Sequence, residues 1–245
     1  MRKTLFKIYR VLEQSLAPGL KYSQYFYEDV LKEYVTAETK WLDLGCGHQV
    51  LPVWRAKEEA VLVSQCREVV GLDYDLESLK NHRSISLRVR GDMSKLPFAP
   101  GYFDLATANM VVEHLKEPEV QFQGVSRVLQ SGGLFILHTP NSRGYGTIFA
   151  RIIPDSIKRK LVAVLQDRRS EDVFETFYRA NTREKIEQLA KQSGLEVVKI
   201  KMIVSAAIFA VVPFLAVFEL LWIRLLMTKS LAGWRTNIIA ILRKK

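Results

Sequence analysis

Apolar residues over positions 1 to about 40 recur at helical spacing on either side of the breaker Ala17-Pro18-Gly19. Leu5, Ile8, Tyr9 and Leu12 form one stripe, and Tyr27, Val30, Leu31 and Tyr34 form the other. Two helices are predicted there. From Lys40 the pattern changes to short apolar runs separated by helical stretches, the mark of βα units built on a mostly parallel sheet. Strands are predicted at residues 41–44, 68–72, 87–89, 103–108, 134–138 and 195–200, and helices at 51–64, 76–82, 118–130 and 183–193. The last helix opens on the cap candidates Asn181 and Thr182 and stops at Gly194, as a helix followed by a strand should. No internal repeat or low-complexity linker interrupts the chain.

The run 202–218, MIVSAAIFAVVPFLAVF, departs from this pattern. It is seventeen residues without a charge, broken by Pro213 and followed after Glu219 by LLWIRLLM. A membrane span takes roughly 20 apolar residues, with about 17 the lower limit. Three readings stand open: an in-plane or re-entrant membrane anchor, a true span, and buried core helices. Pro213, Glu219 and Arg224 argue against a simple span. Trp222, Trp234, Lys201, Lys229 and Arg235 suit an interface. No seventh strand is evident in residues 202–245.

Composition narrows the setting. The 245 residues are 48% hydrophobic and 25% charged, enough for one large α/β domain or a domain with an appendage. The two cysteines, Cys46 and Cys66, lack metal-ligand spacing and give no disulfide framework, so a reducing compartment is expected. The first residues carry too many charges for a signal-peptide core and show no small-residue cleavage site, so the N-terminus is expected to be retained. A net charge of +10 calls for an anionic partner. The basic residues gather after residue 150 and flank apolar runs, an arrangement closer to a membrane surface than to a nucleic-acid groove. Residues 152–165 fit a basic amphipathic helix.

The sharpest local signal is WLDLGCGHQV, residues 41–50. A strand carrying an acid near its end turns through Gly45-Cys46-Gly47 into a helix, so backbone can approach a ligand closely and the positive helix end faces it. A dinucleotide site would show a third glycine, and Val50 stands there instead, against a nicotinamide cofactor. Asp43 sits where a carboxylate can orient the turn or face an ammonium group. Cys46 and His48 lack the partners that nucleophilic or metal chemistry would need.

These residues resemble the class I S-adenosylmethionine-dependent methyltransferases, of the type 11-like, small-molecule branch that includes quinone-biosynthesis enzymes. LDLGCG is similar to the first motif of that family, and later segments agree in order. VVGLDYD places Asp73, followed by Tyr74, where the family's acid grips the ribose hydroxyls. RGDMSKLPF is similar to the segment in which Gly91, Asp92 and Met93 border the adenine. FDLATANMVVEHL resembles the fourth-strand motif, with Asn109 and Met110 beside the cofactor and His114 just beyond. VSRVLQSGGLFILHTPN resembles the following helix, a Gly132-Gly133 turn and the fifth strand, and FYRANTREKIEQLAKQSGLEVV the next helix and strand. The resemblance spans residues 40 to 200.

The resemblance implies a Rossmann-like, doubly wound α/β domain over residues 40–201, to which the apolar and charge patterns add a helical cover at 1–39 and a hydrophobic, basic, membrane-associating helical extension at 202–245. S-adenosylmethionine is the implied cofactor, held by Asp43, Gly45, Cys46, Gly47, Asp73, Tyr74, Gly91, Asp92, Met93, Asn109 and Met110. A hydroxyl acceptor must lose a proton. His114 is the first candidate base and His138 a weaker one, each with a purely structural alternative. Asn109-Met110-Val111-Val112 replaces the Asn-Pro-Pro-Tyr-like residues of amino-directed members, so oxygen or carbon acceptors are expected and DNA-base or protein-amide methylation is disfavoured. Acceptor contacts are expected in 141–182, among Tyr145, Arg168, Arg169, Glu171, Asp172, Phe177, Tyr178 and Arg179. The expected partners are a small-molecule or lipid-linked acceptor and an anionic membrane surface at its cytoplasmic face, not nucleic acid. The alternatives are a non-catalytic S-adenosylmethionine-binding sensor or membrane adaptor and, further off, a nicotinamide-dependent oxidoreductase. No metal site is expected.

Overall fold

A computed structural model describes residues 2–152, 175–210 and 212–245. The chain forms two compact units: Met1–Ser23 with Pro140–Glu175 and Met202–Asn237, and Gln24–Thr139 with Thr176–Lys201 and Ile238–Lys245. The reading of residues 152–165 as an amphipathic helix falls almost wholly outside the described residues. So do Arg168, Arg169, Glu171 and Asp172.

The larger unit carries a seven-stranded sheet. Its strands are β1 (Lys40–Leu44), β2 (Glu68–Asp73), β3 (Leu87–Arg90), β4 (Phe103–Asn109), β5 (Leu129–Pro140), β6 (Leu195–Ile203) and β7 (Asn237–Lys244). The order across the sheet is β3-β2-β1-β4-β5-β7-β6, and β3 through β5 pair in parallel. Among the described residues the helices are α1 (Arg2–Leu16), α2 (Ser23–Tyr34), α3 (Ala56–Ser64), α4 (Leu76–Lys80), α5 (Pro118–Val128), α6 (Tyr145–Ile152), α7 (Arg183–Gln192) and α8 (Pro213–Leu226). The chain moves outward from β1 through β2 to β3 and then returns to the other side of β1 as β4. That reversal is where open parallel sheets bind ligands, beyond the carboxyl ends of their strands.

The six strands expected from apolar runs are present, and the local signals at their borders act as predicted. Gly19 takes φ +83 between α1 and α2. The Thr182 hydroxyl accepts from the Lys185 amide at 3.2 Å to start α7, and Gly194 at φ +72 follows its end. Gly132-Gly133 differs from its expected turn. β5 runs straight through it as a bulge: Phe103 faces Leu129 and Leu105 faces Leu134, and Gly132 at φ +81 takes up the extra residues.

Residues 202–245 also differ from the expected single extension. Asn237–Lys244 is a seventh strand, with Ile238 to Leu242 buried between β5 and β6. Its apolar side chains form one unbroken run because both faces are covered, so no alternation marks it as a strand.

In the smaller unit the apolar run 202–218 does not make one helix. Met202 and Ile203 complete β6, and α8 begins at Pro213, whose fixed φ and missing amide hydrogen suit a first helical turn. Buried Glu219 explains the break. Its carboxylate accepts from the amides of Ile208 and Phe209 at 2.7 and 2.8 Å and from the Tyr145 hydroxyl at 2.7 Å, so the preceding loop folds back onto the helix. Tyr9 and Ala17 pack with Ala216, Leu220, Ile223 and Leu226 in one apolar cluster. Among the described residues no helix is long and apolar enough to cross a membrane. At about 1.5 Å per residue, the fourteen residues of α8 reach about 21 Å against about 30 Å of hydrocarbon.

A chain ending at residue 236 tests the role of β7. Because the strand lies inside the sheet, calorimetry of the truncated chain is expected to show no cooperative unfolding transition. A preserved transition would mean that the C-terminus is an appendage.

Candidate functional site

The strands end in register. Leu44 on β1 faces Leu72 on β2 and Ala108 on β4, and Asn109 on β4 faces His138 on β5. At this edge the Leu72 carbonyl accepts from two successive amides, Gly45 at 2.7 Å and Cys46 at 3.2 Å, which turns the chain sharply out of β1. The turn needs φ +62 at Gly45 and +54 at Gly47. A Cβ on Gly45 would lie 2.6 Å from Val111 Cγ2, so the loop after β4 closes directly on the turn. A Cβ on Gly47 would meet nothing within 4 Å, so open space lies beside that backbone.

Asp73, at the end of β2, faces the same turn. Its Oδ2 accepts from the Gly47 amide at 2.8 Å and its Oδ1 from the Asp75 amide at 2.9 Å. A carboxylate offers about four acceptor positions, so capacity remains for a vicinal diol. Tyr74 follows and is exposed. Gly91 donates to the Asp73 carbonyl at 2.9 Å, which brings Gly91, Asp92 and Met93 alongside β2. Asp92 is exposed and caps a short turn by accepting from Ser94 at 2.8 Å, and Met93 is buried.

Asp43 takes a different position from Asp73. Its side chain is buried beneath the turn, where its Oδ1 accepts from the Thr107 hydroxyl at 2.5 Å. Thr107 accepts in turn from the Trp41 indole at 2.7 Å. An indole can only donate, so the one hydroxyl proton of Thr107 is directed at Asp43. Burial raises the Asp43 pKa to about 7, with the negative charges of Glu59 and Asp73 adding to the shift and Thr107 opposing it. The Cys46 side chain is also buried, packed where Gly71 leaves room: a Cβ there would come within 2.7 Å of its Sγ. Burial raises its pKa, which disfavours the nucleophilic thiolate.

Asn109, placed beside the cofactor by resemblance, exchanges amide hydrogen bonds with Gln24 of α2 at 3.2 and 3.3 Å. Its Nδ2 also donates to the Val50 carbonyl at 3.3 Å, which leaves Oδ1 to face His138 Nδ1 at 2.8 Å. Nδ1 of His138 therefore carries the proton. The ring is fully buried and stacked on Tyr27 at 5.6 Å, and burial lowers its pKa to about 3. This neutral histidine tethers strand ends and α2. Met110 is held at φ +58, its amide donating to the His138 carbonyl at 2.7 Å.

His114 closes a 3-10 turn, Val112–His114, just after β4 and is half-buried. Beside it Glu113 is buried, with its pKa raised chiefly by burial, and accepts from the Thr139 hydroxyl at 2.9 Å. The Glu113 carbonyl takes the amides of Phe177 at 2.8 Å and Tyr178 at 3.1 Å, tying the end of the 141–182 segment to the β4 loop. Arg179 donates to the Lys116 carbonyl at 2.6 Å in the same place.

Sequence reading missed several residues that hold this edge together. Thr107 was visible as a polar residue in an apolar strand opposite Asp43. Arg83 and buried Glu59 form an ion pair that also fixes the loop after the turn: Glu59 accepts from the Leu51 amide at 2.8 Å, and Arg83 donates to the Leu51 carbonyl at 2.9 Å. Gln24, Tyr27 and the Glu28–Arg55 pair, with both contacts at 2.7 Å, seat α2. No local pattern marks such long-range partners.

The reversed strand order and the glycine turn facing a β2 carboxylate define a Rossmann-like fold. Residues 42–137 match the family described as a methyltransferase domain. Over 109 residues the chain is 33% identical to malonyl-[acyl-carrier protein] O-methyltransferase of Legionella pneumophila, covering 42% of this chain and 37% of that protein. Over 129 residues it is 27% identical to demethylmenaquinone methyltransferase of a Mycobacterium species, covering 51% and 53%. The match thus spans less than two thirds of either relative. A Thermotoga maritima S-adenosylmethionine-dependent methyltransferase shares the fold, with TM-score 0.58 and 13% identity over 99% of this chain and 94% of that one. Over residues 42–137 the chain is thus similar to methyltransferase domains, on a fold shared with an S-adenosylmethionine-dependent methyltransferase.

Thr107→Val leaves the Trp41 donor and the Asp43 acceptor buried without partners. It is expected to lower stability by about 1–3 kcal/mol in urea unfolding. Asp43→Asn tests the buried acid. Folded Asp43 keeps its proton up to about 7, while the ordinary carboxyl releases it near 3.8, so the folded state binds more protons between these values and loses stability as pH rises. His138 has the opposite sign, gaining stability as pH rises from about 3 to 6.5. The stability of Asp43→Asn relative to the parent should therefore increase across pH 3.8 to about 7. A pH-independent difference would contradict the burial of a titrating Asp43.

Proposed function

We propose that this protein transfers a methyl group from S-adenosylmethionine to an oxygen or carbon of a small-molecule or lipid-linked acceptor, at the cytoplasmic face of a membrane. The observation that carries the reading is the strand-end arrangement in which Gly45 turns the chain and Gly47 leaves open space beside the Asp73 carboxylate. Asp73 would hold the ribose hydroxyls, the Gly45–Gly47 backbone would flank the amino-acid portion, and Asp92 and Met93 would border the adenine. Asp43, Cys46 and Asn109 would act from beneath by fixing the turn and the end of β4. When bound, the cofactor supplies a methyl group on a sulfonium that leaves as a neutral thioether, so alignment and exclusion of water do much of the work.

His114 is the proposed proton acceptor for a hydroxyl substrate, because it follows β4 beside Met110 and the Glu113 anchor of residues 177–178. His138, enclosed by Tyr27 and Asn109, is proposed to position those neighbours. Phe177, Tyr178 and Arg179 would offer the acceptor aromatic and cationic contacts. The named activities of the relatives, on a carrier-bound malonyl group and on a quinone precursor, support a small or lipid-borne acceptor.

Incubating the protein with methyl-labelled S-adenosylmethionine and separated lipid, polar, protein and nucleic-acid extracts tests this reading. Label is expected in the lipid or small polar fraction. His114→Gln should slow transfer to an oxygen acceptor by about a hundredfold or more while leaving cofactor affinity unchanged. Label only in protein or nucleic acid, or in no fraction, would overturn the proposal.

A further inference from the structure

We infer that the smaller unit presents one built surface, the outer face of α8 together with α1, that lies flat on an anionic lipid bilayer. The inference deepens the membrane part of the proposed function and rests on it. The inner face of α8 is spent on the apolar cluster around Ala216, Leu220, Ile223 and Leu226. Its outer face is apolar as well: Phe214, Phe218, Leu221 and Leu225, at i, i+4, i+7 and i+11, are exposed, Phe214 at 72% and Phe218 at 59%. A solvated surface helix would carry polar residues along that stripe.

α1, which shares the cluster through Tyr9, also exposes apolar side chains, Phe6, Ile8 and Val11, and interleaves them with exposed Lys7 and Arg10. Exposed apolar stripes of this kind mark an interaction site.

Charge selects the occupant. Residues 1–23 and 202–237 hold eight basic residues against Glu13 and Glu219, and Glu219 is buried by its three donors. Arg224 and Lys229 are exposed at the C-terminal end of α8. Arg235 is not part of this surface charge: it donates to the carbonyls of Met202, Leu226 and Met227 at 2.9, 2.9 and 3.0 Å and closes the end of α8. An apolar stripe flanked by lysine and arginine, on a helix too short to span, fits in-plane binding at the boundary between headgroups and acyl chains. A second copy would set like charges against each other.

Sedimentation of the full chain with vesicles of phosphatidylcholine alone, or of equal parts phosphatidylcholine and phosphatidylglycerol, tests the surface. S-adenosylhomocysteine binding is measured on the same preparations. The parent is expected to bind the anionic vesicles about tenfold or more tightly than the neutral ones, and less tightly as salt rises. Phe214→Ser with Phe218→Ser, and separately Lys7→Glu with Arg10→Glu, should each weaken binding about tenfold or more while S-adenosylhomocysteine affinity holds. Equal binding to both vesicle types overturns the inference, as does unchanged binding by both double variants. A parent that ignores vesicles but forms a dimer dissolved by the Phe214/Phe218 variant also overturns it. Vesicle binding without S-adenosylhomocysteine binding would overturn the methyltransferase reading and leave this surface standing.

Discussion

The candidate site depends on the carbonyl of Leu72. One residue before the end of β2, it accepts from both Gly45 and Cys46, so β1 cannot continue and its next peptide units must turn across the strand ends. That geometry is open only to a residue tolerating φ +62, and Val111 leaves no room for a Cβ there. Once the turn is made, the Gly47 amide reaches Asp73. A loop, two strands and a carboxylate thus become one arrangement, and a ligand binding there would find its acceptor groups already oriented.

Beneath the turn, buried and half-buried polar residues form connected sets. Trp41, Thr107 and Asp43 form one directed chain; Gln24, Asn109 and His138 form another. Buried groups of this kind are costly unless satisfied, and when satisfied they favour a single arrangement. Their placement gives α2 a specific task. Through Gln24 and Tyr27 it holds the end of β4 and the ring of His138, while Glu28 grips Arg55 just before α3.

Much of this fold could be read from the chain. Six strands and the helices between them follow from runs whose apolar periodicity changes at glycine and cap residues, because each is locally consistent with its final environment. The glycine turn is legible because the backbone there tolerates few residues, and Asp73 because its segment resembles a known motif. β7 was hidden because a strand buried on both faces shows no alternation. The break in residues 202–218 was hidden because it depends on Glu219 capturing amides ten and eleven residues earlier. Asn109 is placed beside the cofactor by resemblance alone, and its engagement by Gln24, eighty-five residues away, has no sign in the sequence. Such partnerships arise from the tertiary fold and leave no periodic trace.

The proposed methyl transfer requires that the glycine turn and Asp73 form a site for S-adenosylmethionine. Calorimetric titration with S-adenosylhomocysteine measures this most directly, comparing the parent with Asp73→Ala and with Gly45→Ala. The parent is expected to bind one equivalent, and both variants to lose at least about tenfold in affinity, or about 1.4 kcal/mol. No heat from the parent, or equal affinity in all three proteins, would contradict it.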